Sequence, residues 1–335
     1  MRSEYPENKT LQSMYSFIYV FQLLSAILCG FGGSILWVAQ GKYISQCAND
    51  SNKGLYNAVF WAFLMTALVV GNALGAFVIA RFKASVFFIL LTGVCLVAAL
   101  FLLVLPKPVT SDSAKAEEPK TSICEAIKQT WSLMISPRML TFLPILIYSA
   151  MSMAIYASLL TPLLARTMPG TLSEDKKTSA ACVAMIFLGA GEIVGSFANG
   201  KLHDLIGSKL FAIANLIQLC IAYALIVYFN HRNKYNYGFA MTLCFAWGVM
   251  DAGLTNFFRG ILGFQFDSQT IPFSVLTVVQ SFSMFVMVYL GALVKTVTAY
   301  WIYLGCTFGF AVFAWLLFFF RFELRTSKKG AITAE

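Results

Sequence analysis

Apolar runs of about 18 or more residues recur along nearly the whole chain, each long enough to cross a hydrocarbon layer of about 30 Å as a helix. Few folds accept such a pattern. Hydrophobic residues make up 59% of the 335 and charged residues 12%, against roughly 45–50% and about 25% in soluble domains. That excess cannot be hidden in one globular core. The class is therefore all-α: a polytopic integral membrane protein of about nine transmembrane helices by length, with the lipid bilayer as its surroundings.

The rest of the composition narrows what such a bundle can do. A formal charge of +9 would suggest nucleic acid in a soluble protein. Here Lys and Arg sit mainly in the short gaps between apolar runs, where they act as topology determinants and headgroup contacts, so no nucleic acid is expected. The eight cysteines are scattered without a C-x-x-C pair, and only His203 and His231 are available. Neither a disulfide framework nor a metal site follows, and no cofactor is expected. No nucleophile elbow, P-loop, zinc-binding H-E-x-x-H or Rossmann glycine pattern stands in a suitable setting, so the chain does not read as an enzyme.

In chain order, a polar N-terminus (1–13) lacks the basic start and short apolar core of a signal peptide, so the first apolar stretch serves as both signal and span. Three spans fill 14–105: Met14–Tyr43, Gly54–Phe82 and Ala84–Leu105. Gly30, Gly32 and Gly33 in the first, and Gly71 and Gly75 flanking Asn72 in the second, predict close helix approach. Trp37, Gln40 and Lys42 suggest arrival at the membrane interface. Residues 106–138 are the one substantial hydrophilic segment. Its start has the composition of a flexible linker. Its end opens with Ser122-Ile123-Cys124-Glu125, a capping-box pattern, and continues with Ile127, Trp131 and Met134 at helical spacing, which predicts an amphipathic interfacial helix ended by Pro137. Six spans then fill 139–322: Met139–Arg166, Thr178–Leu202, Ser208–Asn230, Tyr237–Phe264, Ile271–Lys295 and Thr298–Phe320. A basic tail, 323–335, closes the chain.

Carboxylates inside apolar spans are expensive and draw attention first. Glu192 lies near the middle of its span with Gly191 and Gly195 framing one face. It reads either as a coupling or binding group, or as a protonated carboxyl bonded to a neighbouring helix. Asp251 has Thr255 one turn on and Arg259 a further turn on, so the three share a helix face as candidate pathway groups. The alternatives are structural pairing, and for Arg259 a reach to the membrane interface. Asn72 is either a candidate pathway residue or interhelical polar glue. His203 reads as a solvated turn residue.

The turn from Asn199 to Lys209, with Gly200, Asp204, Gly207 and Lys209, resembles the G-x-L-x-D-x-x-G-x-K loop signature of the major facilitator superfamily, which joins the second and third helices of each six-helix half on the cytoplasmic side. Three further stretches resemble the uncoordinated-93-like family within it. The run Gly32 to Tyr43, containing Trp37, Gln40 and Gly41, is similar to its G-x-x-x-x-L-W-x-x-Q-G-x-Y pattern. Phe60-Trp61 followed by Gly71-Asn72 is similar to its F-W and G-N pair. Gly189-Ala190-Gly191-Glu192 and Asp251-Ala252-Gly253 resemble its G-x-G-E and G-x-x-D-A patterns. The resemblance implies a major-facilitator-type bundle in which this chain starts at helix four of twelve and runs to helix twelve. Tyr148-Ser149-Ala150-Met151-Ser152 departs from the glycine and acidic residue expected at the opening of helix seven. A modest excess of Lys and Arg on the implied cytoplasmic side agrees with the orientation.

What the resemblance implies about function is an accessory, regulatory or trafficking role of the ion-channel-regulation type, with a channel or receptor membrane protein as partner. The alternative is secondary transport of a small solute, with proton coupling, through Glu192 and Asp251. No particular substrate is implied, and neither plasma membrane nor endomembrane is singled out.

Overall fold

The computed structural model describes residues 9–47, 53–82, 84–106, 122–160, 164, 168, 171–232, 237–266, 268 and 270–324. The first eight residues of the polar N-terminus, the linker from 107 to 121 and the tail from 325 onward lie outside the described residues. Among the described residues every regular element is helical: α1 Lys9–Cys47, α2 Lys53–Arg81, α3 Ala84–Leu103, α4 Ile123–Met134, α5 Pro137–Ala154 continued by a wider π-helical stretch Ile155–Leu160, α6 Glu174–Arg232, α7 Tyr237–Phe264, α8 Ile271–Leu293 and α9 Val297–Arg321. These elements contain nine segments long and apolar enough to cross a membrane, because α6 supplies two, Ser179–His203 and Leu205–Phe229.

The break inside α6 falls at Gly207, whose φ is 73°. That left-handed backbone is open to glycine at no steric cost, which accounts for the glycine at this place in the loop motif. Gly207 therefore divides α6 into two arms, each a helix of its own, at the turn that the sequence places between two spans. His203, expected as a solvated turn residue, is instead packed within the first arm. Its ring stacks on Phe211 at 4.6 Å between centroids and its Nε2 lies 2.9 Å from Ser208 Oγ. A chain that folds back at Gly207 brings Phe211, four places after it, over His203, four places before it, and that return is invisible to periodicity.

Local start signals do what their chemistry predicts. Ser122 caps α4 by accepting from the Glu125 N–H at 3.3 Å. Ser136 caps α5 by accepting from Met139 N at 3.3 Å, with Pro137 in the first turn, where its missing N–H costs nothing. Thr296 caps α9 through Ala299 N at 3.1 Å. The apolar stripe of α4, Ile123, Ile127 and Trp131, is exposed while Leu133 and Met134 touch the core. An amphipathic helix presented in this way suits the membrane surface.

The packed core sits among α5, α6, α7 and α9. At one end Phe142, Phe211, Phe257, Trp315, Phe318 and Phe322 form a continuous aromatic cluster. Nearer the middle, Tyr148, Tyr223 and Trp247 are buried together, with Tyr223 and Trp247 rings 5.3 Å apart. The close helix approach is made by glycines on α6 and α7. A Cβ on Gly191 would overlap the Phe245 carbonyl, and one on Gly248 would overlap the Leu188 carbonyl. One on Gly195 would stand 2.8 Å from Val249 Cα. The contacts advance together along both helices, so α6's first arm and α7 run parallel with their backbones touching.

By contrast, Gly30, Gly32, Gly33 and Gly71 meet nothing within 4 Å, and Gly75 meets only the Phe87 ring at 3.7 Å. The expectation of close approach at these positions is therefore corrected among the described residues. The α2 contact with α6 does use a glycine, but it is Gly189, whose Cβ would lie 2.7 Å from Val69 Cγ2. Asn72, expected as glue across that contact, donates to Leu68 O of its own helix at 2.8 Å.

Candidate functional site

A cavity of about 190 Å³ opens between α1 and α2 on one side and α5, α7 and α8 on the other. Its walls are Trp37 and Trp61 from the first pair, and Ser149, Thr255, Phe258, Arg259, Thr277 and Gln280 among the residues of the second group. Each element contributes for a local reason. Ser149 and Ser152 lie on α5 between Pro144, whose ring removes a backbone donor, and the π-helical stretch that follows. Helices with such irregularities turn side chains out of the regular register and are frequent at functional sites. Thr255 and Arg259 are one turn apart on α7 and share its cavity face.

Behind the Trp61 wall lies a buried carboxyl pair. Glu192 is 1% exposed and Asp251 3% exposed, and the two carboxyls are within side-chain hydrogen-bonding reach of each other. A hydrogen bond between two carboxyls needs a proton between them. Trp61 Nε1 donates to Glu192 Oε2 at 3.1 Å, and Ser152 Oγ donates to Asp251 Oδ1. On the cavity side of α5, Gln280 Nε2 donates to Ser149 Oγ at 2.7 Å. Trp61, a cavity wall, thus connects the pair to the cavity by one hydrogen bond, while Ser152 holds Asp251 from α5 three residues beyond the cavity-lining Ser149.

Arg259 is placed differently. Its guanidinium carbon stands 5.0 Å from the Trp61 ring centre, 5.9 Å from Trp37 and 6.0 Å from Phe258. Its Nε is buried without a hydrogen-bond partner. Among the described residues no carboxylate pairs with it, and Asp251, two turns away on the same helix, is turned to Glu192 instead. Arg259 is partly buried against these aromatic faces, an arrangement worth about 2 kcal/mol per contact when desolvated.

Of the residues singled out in the sequence, Glu192 and Asp251 come together, and Thr255, Arg259 and Trp37 line one cavity. Gly41 backs that cavity, 3.5 Å by its Cβ position from Phe273. Gln40 is near in sequence but its amide atoms are buried without partners. Gly71 and Asn72 are elsewhere on α2. Gly200 makes ordinary contact with Asn256 at 3.9 Å. Lys209 is exposed, and the Asp204 side chain lies outside the described residues. Trp61, Ser149, Ser152 and Gln280 are site groups that residue-by-residue reading does not single out for chemistry. Trp61 stood in a family pattern, and a serine-rich α5 facing an acidic α7 was the available signal for the others. Among the described residues no group of three His, Cys, Asp or Glu could hold a metal ion.

A second polar knot lies deeper between α6 and α7. Gln218 Nε2 donates to Asn199 Oδ1 at 2.7 Å, and Asn199 Nδ2 donates to Val249 O at 3.0 Å. Gly253 passes through this knot, and a Cβ there would stand 2.7 Å from Asn215 Oδ1.

The sequence model of the family described as ion channel regulatory protein UNC-93 matches residues 11–319. The chain belongs to the UNC-93 family. Its relatives include the UNC93-like protein MFSD11 of Xenopus tropicalis, 22% identical over 309 residues that cover 80% of this chain and 68% of the relative. The protein of the same name from Xenopus laevis is 24% identical over 217 residues, 58% of this chain and 46% of the relative. The UNC-93 match runs from α1 into α9 and so takes in every element that lines the cavity.

Proposed function

We propose that this UNC-93 family chain handles a small solute, bound in the cavity between α1–α2 and α5–α7–α8, as a facilitator-type secondary carrier. The observation that carries the reading is the cavity itself: a cation, two tryptophans and several hydroxyl and amide groups converge on one space between spans. Ionisable groups inside spans face watery cavities or pathways. The Glu192–Asp251 pair behind Trp61 supports proton coupling, because a carboxyl pair sharing one proton can release it when its surroundings open to water. In proteoliposomes holding the purified chain, an inward acid gradient is expected to drive uptake of at least one solute from a panel of amino acids, carboxylates and amines. Glu192→Gln is expected to cut the acid-stimulated part at least tenfold. No uptake of any member by wild type, with no effect of Glu192→Gln, sinks the carrier reading.

A second reading is favoured by the family's own description, regulation of ion channels. On it the chain is an accessory subunit and its partner is a channel. Co-expression with a potassium channel and voltage-clamp recording separates the two: current amplitude or gating shifts with the chain present support the accessory role, and unchanged currents count against it.

A further inference from the structure

Among the described residues the cavity's only charged wall group is a cation, Arg259, and this points to the charge of what it binds. We infer that Arg259 receives the anionic head of a small amphipathic ligand whose flat apolar body lies against Trp37 and Trp61. The inference rests on the carrier reading for the existence of a solute site, and adds the ligand's chemical class.

Four observations carry it. Arg259 lines the cavity from within the span Tyr237–Gly263. Its Nε is buried without a partner, and among the described residues no carboxylate pairs with it. Arg259 as a whole is only partly buried, but a guanidinium held within a span without an anion is costly, and such groups are kept where a counter-ion arrives or a pathway runs. The two carboxyls that would be its natural partners, Glu192 and Asp251, are committed to each other, to Trp61 and to Ser152. The walls beside it, Trp37 and Trp61, present aromatic surface rather than acidic groups, while Gln280 and Thr277 supply neutral polar contacts further along. A planar carboxylate or a phosphate fits the fork of a guanidinium in a bidentate manner, and an organic cation would meet repulsion there. The anion has two possible sources, a free organic acid or the headgroup of an anionic lipid.

The test uses the full chain in nanodiscs and three probes of one shape: benzoate, benzamide and benzylamine. Binding is read by quenching of tryptophan fluorescence and by the shift of the unfolding midpoint, in discs of phosphatidylcholine and again in discs containing phosphatidylglycerol. Benzoate is expected to bind at least tenfold more tightly than benzamide, and benzylamine most weakly. Arg259→Gln is expected to abolish the preference and Arg259→Lys to restore part of it. Weaker benzoate binding in phosphatidylglycerol discs supports the site with lipid as the source, and unchanged binding supports a free acid. If benzamide or benzylamine binds wild type as well as benzoate does, the anion assignment is overturned while the solute site stands. If none of the three binds, both fall. The charge series on wild type needs no variant, so a misfolded Arg259→Gln leaves it intact.

Discussion

Trp61 shows how a residue that looks like packing becomes part of the chemistry. Its indole N–H is the link between the cavity and Glu192, at 3.1 Å. Trp61→Phe keeps most of the wall but leaves a carboxyl oxygen at 1% exposure without its donor. Hydrogen bonds between membrane helices average only about 0.6 kcal/mol, but an orphaned buried acceptor adds its desolvation cost, so a loss of about 1–2 kcal/mol is expected. Thermal unfolding in detergent measures it. A double-mutant cycle with Glu192→Gln should return a coupling of about 1 kcal/mol, and strict additivity would show that the bond contributes nothing. The two carboxyls were legible in the sequence because a charge in an apolar run stands out against its neighbours. Trp61 as their partner was not, because its place depends on the antiparallel register of α2 on α6, in which Trp61 meets Glu192 and Ala76 meets Ser179. Arg259 was visible as a charged residue within its span, but only the fold shows aromatic rings around it in place of a carboxylate.

At the scale of elements, the same logic separates glycines that look alike in sequence. Gly191 and Gly248 hold the α6 and α7 backbones in contact, and a methyl at either would collide with a carbonyl that belongs to a rigid helix. Gly191→Ala and Gly248→Ala are each expected to destabilise by about 1–3 kcal/mol through overpacking. Gly71→Ala, with nothing within 4 Å, should be neutral or gain up to about 1 kcal/mol from helix propensity. Equal unfolding midpoints for all three variants would refute the assignment of the helix contact. Gly207→Ala should cost about 1–2 kcal/mol for a different reason, the strain of a side chain at φ 73°. Spacing rules flag small residues on one face, but which face meets a neighbour is set by the whole bundle. That is why the Gly-x-x-x-Gly of α2 misled and the Gly-Glu run of α6 did not.

For the molecule as a whole, span number and helix ends were legible because bilayer thickness sets both length and apolarity, and structure and sequence agree to within a few residues at most boundaries. The break between the two arms of α6 was legible too, at the glycine of the loop motif, but the return of Phe211 onto His203 was not. The cavity was equally hidden, because it is a gap between distant segments: α1 and α8 meet there through Gly41 and Phe273, 3.5 Å from the Cβ position to the ring. If the bundle works by rocking α1–α2 against α5–α7–α8, this contact lies on the moving seam. Cysteines at Gly41→Cys and Phe273→Cys, introduced after replacing the eight native cysteines, should be joined by a short bifunctional thiol reagent. The linked protein is expected to lose at least nine-tenths of solute uptake while a reductant-cleavable version of the same linker restores it. Full uptake by the linked protein would mean that the α1–α8 contact stays closed throughout the cycle, and that solute passes by some route other than parting of this seam.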